Sequence, residues 1–325
     1  MKTYLLLPKI KIQNANALSS LCTIGFPAMT AWMGFAHALE RKIRLSSNLE
    51  SVHFSGVGVI CYGAHLQVYK ELGSKQYCII NSLNPNEKRP AQPKKQTEKD
   101  SNEKKPMQSK KQTEKDSSEK GKSNDPASFI EEPRIHLCVS LLIQCAGVSG
   151  DNEDELAKFV EIALPRMKIA GGDILSFEKP RIYYVSDEKP EQEKKILCQL
   201  MPGFALIERR RLLEEAESNN FDALDALLSF FAIHPKGKEE PQSFQGPSYR
   251  KGAGWLIPIV VGFQGLSSLG KVKNQRDPTV LHRFVESVVT LGEFKMPYRF
   301  SSVEEILWHY EYDESQSLYV CKNEK

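Results

Sequence analysis

Apolar and polar residues alternate near the start of the chain, with Ile10 and Ile12 on one side and Lys9 and Lys11 on the other. A period of two predicts a half-buried strand over residues 4–12. Pro8 favours an edge position or a bulge, because proline cannot donate to a sheet ladder.

From residue 28 the apolar spacing changes to three and four. This period predicts one amphipathic helix over residues 28–44, preceded by Pro27, which suits a first helical turn. Its buried face would carry Met29, Trp32, Ala36, Leu39 and Ile43.

Further along, strands are predicted over residues 52–62, 77–80, 135–143, 173–177 and 181–185, with residues 135–143 the most apolar and therefore central. A helix is predicted over 152–167, capped by Asp151 and kinked by Pro165. The order strand, helix, strand, strand, helix, strand predicts an α+β fold with a modified RRM or ferredoxin-like sheet. Residues 1–83 and 126–190 would form this core. The aromatic signature of an ordinary RNA-recognition strand is missing.

The later part of the chain predicts other elements. Residues 191–253 would form a projecting, partly helical thumb, with Leu206, Ile207, Leu212 and Leu213 as one helical stripe. Residues 254–325 would pack a strand (255–263) and helices (279–290 and 302–308) on the core. Ser301 or Ser302 would cap the last helix.

Composition breaks sharply between residues 84 and 125, where apolar residues nearly vanish and the octapeptide KKQTEKDS occurs twice. Such a Lys-rich tract cannot bury enough apolar surface to fold, so we expect a disordered insertion. Residues 86–125 hold twelve Lys and Arg against eight Asp and Glu, a local +4. Because the whole chain carries +3, the remainder carries −1. Any nucleic-acid site must therefore be a local patch.

Three segments carry candidate binding chemistry. The first is the amide-rich segment after the first strand, expected to be a loop, whose side chains suit base edges and ribose hydroxyls; its candidates are Gln13, Asn14, Asn16, Ser19 and Ser20. The second is the loop at 271–277, which suits phosphates through Lys273, Asn274 and Arg276. The third is the triplet Arg209, Arg210 and Arg211.

Each segment has an ordinary structural alternative. The Asn and Ser side chains of the first could bond their own backbone. The loop at 271–277 could be a plain surface loop. The arginines could form a solvated helix face paired to Glu214 and Glu215.

The sequence offers little for catalysis or metal binding. The seven histidines lack HxH or HExxH spacing, and the seven scattered cysteines form no CxxC pair. We therefore expect no cofactor and reduced cysteines. His37 is the one candidate for a general base in RNA cleavage. The longest apolar run, residues 137–148, is too short for a bilayer. No secretory signal is recognised, so a cytoplasmic location is expected.

A set of short blocks stands in the order found in one family: IQNANA (12–17), GFP (25–27), GF and HAL (34–39), AGG (170–172), PGFAL (202–206), LDALL (224–228), GWL (254–256), Asn274, RD (276–277), RFVE (283–286) and LGE (291–293). On these blocks the chain resembles the second subunit of the type I-F (Csy) CRISPR surveillance complex, in the Cas-five-like group. The resemblance covers nearly all of the chain outside the Lys-rich insertion.

The resemblance implies a non-catalytic subunit that binds the 5′ handle of the guide RNA. Its partners would be the large subunit, the backbone subunit and, indirectly, target double-stranded DNA, while a separate endoribonuclease would process the guide. The amides at 13–20 and the loop residues 273, 274 and 276 then become handle contacts, with Arg209 and Arg210 on the thumb. Ile24 and Phe294 stand where family members can carry Trp, so no aromatic stack is expected at Ile24.

Two rival functions follow from the same residues. Relatives of this fold in other CRISPR subtypes cleave guide precursors, which would make the chain a metal-independent endoribonuclease using His37. Alternatively, it would be a structural bridge between subunits that hold the RNA themselves.

Overall fold

The computed structural model describes residues 1–70, 77–79, 82–83, 129–130, 133–150, 152–186, 190–217, 222–231 and 254–323. The chain divides into one unit of residues 1–80 and 133–325 and a second of residues 81–132. In the second unit the described residues, Ser82–Leu83 and Phe129–Ile130, pair as an antiparallel ladder. The predicted disordered insertion at 84–125 lies outside the described residues.

The helices of the described residues are α1 (Met29–Ile43), α2 (Glu153–Ala163), α3 (Pro190–Gln199), α4 (Arg210–Glu217) and α5 (Ala223–Ser229). Short 3₁₀ helices cover Leu164–Arg166, Pro297–Arg299 and Val303–Ile306. None of these helices is both long and apolar enough to cross a bilayer.

The strands come in chain order. The first half of the described chain has β1 (Lys2–Asn16), β2 (Leu18–Ser20), β3 (Thr23–Ile24), β4 (His53–Leu66), β5 (Val68–Lys70), β6 (Tyr77–Ile79), β7 (Ser82–Leu83), β8 (Phe129–Ile130) and β9 (Arg134–Ala146). The second half has β10 (Lys168–Ile169), β11 (Gly172–Ser176), β12 (Arg181–Val185), β13 (Phe204–Glu208), β14 (Trp255–Gly265), β15 (Val285–Lys295), β16 (His309–Asp313) and β17 (Leu318–Lys322).

One antiparallel sheet of eleven strands organises the larger unit, in the order β10-β11-β1-β9-β4-β13-β15-β14-β17-β16, with β12 also paired to β1. The predicted central strand is confirmed, because β9 lies between β1 and β4 along most of its length. Its alternate residues Ile135, Leu137, Val139, Leu141 and Ile143 are buried on the side that faces α1 and α2.

Two apolar cores flank this sheet. On one face α1 packs Met29, Trp32 and Leu39 against Ile10, Ile12 and the inward residues of β9. On the other face α3 packs Ile196, Leu197 and Leu200 over Tyr4, Leu6 and Ile60. The second core covers only part of its face, because α3 contacts one end of the central strands.

Several predicted elements are confirmed with small shifts: α1, β4, β12, and α2 with its 3₁₀ turn at Pro165. Asp151 lies outside the described residues, and Asn152 occupies the cap position, where its side chain bonds Ser149 and Gly147 and does not cap the helix. The helix predicted over 302–308 is only a 3₁₀ helix at Val303–Ile306, and Trp308 forms a β-bridge with Val57. Its cap is as expected, because Ser302 and Glu305 form a capping box.

Three predictions are wrong. Leu206 and Ile207 lie in β13, a strand of the main sheet, and not on a helical stripe. Residues 285–290 belong to β15, so the helix over 279–290 does not form. In both places an apolar run fits either period, and pairing with neighbouring strands decides for extended backbone. The third error concerns the amide-rich segment and is described with the site.

Candidate nucleic-acid interface

The amide-rich segment is not a loop. Gln13, Asn14 and Asn16 lie in the last part of β1, and Ser19 and Ser20 lie in the two-stranded ladder of β2 with β3. The strand continues past Ile12 because its backbone is paired on both sides, with β9 and β11. Pairing of this kind overrides the weak strand propensity of asparagine.

Gly172 lets β11 approach this end of β1 closely. A Cβ atom at residue 172 would lie 2.7 Å from both the Ala15 nitrogen and the Gln13 oxygen. A larger residue would therefore push β11 away from the backbone that presents the amides. Asn16 N–H also donates to Ala170 O at 2.8 Å, which fixes the end of β1 to the turn before β11.

Three of the predicted contact residues bond their own segment. Asn16 Nδ2 donates to Leu18 O at 2.9 Å and its Oδ1 accepts from Leu18 N–H at 3.1 Å. Ser19 Oγ donates to Phe26 O at 3.0 Å, and Ser20 Oγ lies 2.7 Å from Thr23 Oγ1. These side chains stabilise the β2–β3 hairpin, which is the structural alternative that the composition left open.

Asn14 instead joins a cluster with Gln67 and His136, which we call the amide cluster. Its backbone is left-handed, with φ of 57°, and its N–H donates to His136 Nδ1 at 3.2 Å. Gln67 Nε2 donates to Asn14 Oδ1 at 2.6 Å and lies 3.1 Å from His136 Nε2. Asn14 is exposed, and so is Gln13 beside the cluster.

A larger polar surface adjoins the amide cluster on the face of the sheet opposite α1, beyond the part that α3 covers. Lys11 lies on this face because its neighbours Ile10 and Ile12 point into the α1 core. By the same alternation His136 and Cys138 of β9 point there, and His65 is paired with His136 across β4. We call this surface the open face.

The sequence contains one signal for the open face. Lys9 and Lys11 alternate with Ile10 and Ile12, which places two cations on one side of a strand. That pattern predicts the strand equally well whether the cations are simply solvated or bind an anion. The polar surface forms only when the neighbouring strands bring His65, Gln67 and His136 close to these lysines.

Lys9 and Tyr62 form one fixed pair on this face. Lys9 Nζ lies 2.9 Å from the centroid of the Tyr62 ring, and Tyr62 OH donates to Leu200 O at 2.9 Å. Ser140 Oγ accepts from Lys9 N–H at 2.9 Å and donates to Tyr62 OH at 3.2 Å. Burial lowers the pKa of Lys9 and raises the pKa of Tyr62. Cys138 and Glu178 oppose the shift on Lys9.

The arginine triplet is bound mainly to carboxylates that sequence reasoning did not select. Arg209 Nε lies 2.5 Å from Glu293 Oε2, and Arg210 Nη2 lies 2.6 Å from Glu208 Oε1. Glu208 and Glu293 are both buried in the sheet. A helix face paired to Glu214 and Glu215 is therefore wrong for Arg209 and Arg210. Arg211 borders a polar cavity of about 330 Å³ together with Glu304 and Glu305.

The loop at 271–277 closes the hairpin of β14 and β15. Gln275 holds it: its Oε1 accepts from Val272 N–H at 2.9 Å, and its Nε2 donates to Asp277 O at 2.6 Å and Val280 O at 3.1 Å. Lys273, Asn274 and Arg276 are exposed around this centre. In the sheet order β14 stands five positions from β1, yet it also contacts β2 and β3. The loop is held by bonds within its own hairpin, whereas Arg209 and Arg210 are held by Glu293 and Glu208.

Chemistry for catalysis is sparse in the described part of the chain. It contains no group of three or more His, Cys, Asp and Glu side chains that could hold a metal ion. His37 is exposed on α1 and borders a cavity of about 210 Å³ with Glu40 and Tyr310. Glu40 is occupied by His53 Nδ1 at 3.3 Å and by Phe54 N–H at 3.2 Å.

The comparisons with known proteins all place this chain among the CRISPR-associated proteins. The family model described as CRISPR-associated protein (Cas_Csy2) matches residues 5–321. CRISPR-associated protein Csy2 of Pseudomonas aeruginosa (strain UCBPP-PA14) is 32% identical over 345 residues, which cover 97% of this chain and 93% of that protein. The chain therefore belongs to the Csy2 family, and the family part of the sequence resemblance is confirmed.

Proposed function

We propose that this chain is the non-catalytic guide-RNA-binding subunit of a type I-F Csy CRISPR complex. It holds the 5′ handle of the guide, pairs with the large subunit and adjoins the backbone subunit, and it meets target double-stranded DNA indirectly. A cytoplasmic location follows from this role. The observation that carries the proposal is the open face beside the amide cluster, in a chain of the Csy2 family.

The sheet order supports an RRM or ferredoxin-like core within the Cas-five-like group. Strands β11 and β12 pair with β1, β1 pairs with β9, and β9 pairs with β4. Helix α1 connects β1 to β4, and α2 connects β9 to β11 through β10. This order and these crossovers are those of a split βαβ sheet, whose uncovered face is a common RNA platform.

The chemistry of the open face suits single-stranded RNA. Lys9 and Lys11 supply charge for phosphates. Gln13, Asn14 and Gln67 supply amide donors and acceptors of the kind that read unpaired base edges. Asn16, Ser19 and Ser20 stabilise the adjoining hairpin, so their contribution is to hold Gln13 and Asn14 in position.

The thumb assigned to residues 191–253 is kept in the proposal only for the part that follows β13, because α3 packs on the main sheet and β13 pairs within it. Within it, α4 and α5 pack Ala216, Ala226 and Phe230 together around Leu291 of β15. Arg209 and Arg210 tie the start of this region to the sheet through Glu293 and Glu208. Their role in RNA binding would therefore be indirect.

The endoribonuclease alternative is less well supported. It rests on His37, and Glu40, which could orient that ring, is already bound by His53 and Phe54. General acid–base cleavage needs two groups placed on either side of the scissile phosphate. Incubation of the purified protein with repeat RNA tests it: cleavage in the absence of metal that His37→Ala abolishes would favour the enzyme.

Coexpression with the candidate large and backbone subunits, followed by sequencing of the short RNA that copurifies, tests the proposal. We expect a guide-like RNA whose 5′ end crosslinks to this chain. The paired variant Lys9→Ala/Lys11→Ala should reduce that crosslink, while Lys322→Ala on β17 should leave it unchanged. An assembly that keeps the RNA but never crosslinks it to this chain would favour the structural bridge.

A further inference from the structure

A small cavity with aromatic walls opens beside β4. It has a volume of about 250 Å³ and is bordered by residues of five strands and of the segment before α1. Five of its lining residues are aromatic: Phe26, Tyr62, Phe204, Trp255 and Phe294. No acidic side chain lines it among the described residues.

The aromatic walls are fixed from the core outwards. Buried Trp32 stacks on Phe26 with ring centroids 5.4 Å apart, and Phe26 meets Phe294 edge-on at 5.2 Å. Phe294 in turn contacts Trp255 at 5.4 Å. Trp255 is 64% exposed, whereas Trp32 and Trp308 are fully buried. The outermost ring of a rigid aromatic chain is therefore presented to solvent.

The floor of the cavity is a strand edge. β13 pairs with β4 only at Ile60 and Cys61, while β4 continues its pairing with β9 as far as Leu66. In the described part of the chain, residues 62–66 thus have a ladder on one side only. Alternate residues of an antiparallel strand direct N–H and C=O groups to each side, so this stretch offers donors and acceptors next to the aromatic rings.

The cavity adjoins the amide cluster. Leu66 and Ile135 line it, and they are paired with each other on β4 and β9. Gln67 and His136, which follow these two residues in the chain, belong to the amide cluster, and His136 points to the opposite face of the sheet from Ile135. Lys9 Nζ rests on the ring of Tyr62, another lining residue, which brings a cation to the same rim.

We propose that this cavity binds one unpaired nucleobase of a single-stranded RNA, with Trp255 as the stacking surface and the β4 edge as the hydrogen-bonding partner. The proposal rests on the RNA-binding function proposed above and specifies where one base goes. A base is flat and carries donors and acceptors in its plane, so it uses both the rings and the strand edge. An aliphatic side chain of a partner protein would use the rings and leave the strand edge without partners.

The test uses the coexpressed assembly and synthetic RNAs with the 5′ sequence of the copurified RNA. Each RNA has one base removed or replaced by 2-aminopurine. In the wild-type assembly we expect removal of one particular base to weaken binding by about fivefold to 150-fold. The fluorescence of 2-aminopurine at that position should be quenched on binding, because the base stacks on the indole of Trp255.

The variants make the assignment specific to Trp255. Trp255→Leu should weaken the binding of intact RNA by a similar factor. In that variant, removal of the base should cause no further loss of affinity. Trp255→Phe should retain most of the wild-type affinity. Tyr312→Leu, which removes an exposed ring on β16, is the matched control and should change nothing. Unfolding midpoints of all variants should agree, because both rings are largely exposed.

The outcomes separate the two proposals. If the wild-type assembly binds RNA but no base position couples to Trp255, the cavity assignment is overturned and the proposed function stands. If Trp255→Ala releases a partner subunit while Trp255→Leu does not, the occupant is an apolar protein side chain and the assignment is again overturned. If the wild-type chain holds no RNA at all, both proposals fail.

Discussion

Arg209 at the end of β13 directs its Nε at Oε2 of Glu293 on the neighbouring strand β15, at a distance of 2.5 Å. The other carboxylate oxygen of Glu293 accepts from Gly254 N–H at 2.8 Å, just before β14. Glu293 is 1% exposed and Arg209 is 31% exposed. The Glu293 carboxylate therefore links three consecutive strands of the sheet, and Arg209 acts as a structural residue.

Replacing Arg209 with Ala should lower the free energy of unfolding by about 2–3 kcal/mol. Loss of one partner leaves a buried carboxylate unpaired, which costs about 3–5 kcal/mol for fully buried pairs, and the partial exposure of Arg209 reduces that figure. Denaturant titration measures the change. In a Glu293→Gln background the same replacement should cost much less, and an equal cost in both backgrounds would contradict the ion-pair explanation.

Asn14 allows a separate test of backbone strain in the amide cluster. Its φ of 57° is left-handed, a conformation that costs residues with a Cβ atom about 1–2 kcal/mol. Asn14→Ala and Asn14→Gly both lose the bond to Gln67, but only glycine avoids the strain. We expect the glycine variant to be about 1 kcal/mol more stable by thermal or denaturant unfolding. Equal stabilities would show that the segment relaxes to another conformation.

Three buried thiols should make the fold sensitive to alkaline pH. Burial raises the pKa of Cys61 to about 11 and the pKa values of Cys145 and Cys321 to about 12, from 9.0. Above pH 9 the unfolded chain releases these protons first and so binds fewer protons than the folded chain. Stability is fully present below pH 9 and is lost as pH rises towards 11–12, at about 1.4 kcal/mol per pH unit for each thiol.

Denaturant midpoints between pH 8 and 10 measure this loss. Lys9 acts in the opposite direction, since its lowered pKa makes stability rise with pH below 10.5. Tyr62, whose pKa is raised from 10.0, adds to the loss only above pH 10. Cys145→Ala lowers stability at every pH because it leaves a cavity, so the informative quantity is the slope. In Cys145→Ala, the decrease in unfolding free energy per pH unit above pH 9 should be smaller by the contribution of one thiol. An unchanged decrease would mean that Cys145 ionises in the folded protein.

Phosphate contacts should be visible in the salt dependence of RNA binding by the assembled complex. Each cation that neutralises a phosphate contributes about one unit of slope in a plot of log affinity against log salt concentration. We expect Lys11→Ala and Arg276→Ala each to reduce the slope by about one, with Lys322→Ala as the control. An unchanged slope for Arg276→Ala would remove the loop at 271–277 from the RNA-binding surface.

The elements that the sequence predicted best are those whose pattern is local and long. Helix α1 runs over Met29–Ile43 because fifteen residues keep one apolar face, and β9 keeps apolar residues through its centre. Shorter apolar runs failed, since Leu206 and Val285 fit a helix as well as a strand. Their pairing with β4, β14 and β15 involves residues tens of positions away, which no local period reveals.

The sequence by itself determined the family, the central strand and first helix, and the chemical types available for binding, because these depend on residue identity and short-range periodicity. Tertiary structure decided which of those side chains are available to a ligand. Arg209 and Arg210 meet buried carboxylates, and Asn16, Ser19 and Ser20 bond within one hairpin. Lys11, Gln67 and His136 are brought to one surface only when β1, β4 and β9 pair, because strand pairing joins distant segments at a spacing of about 5 Å.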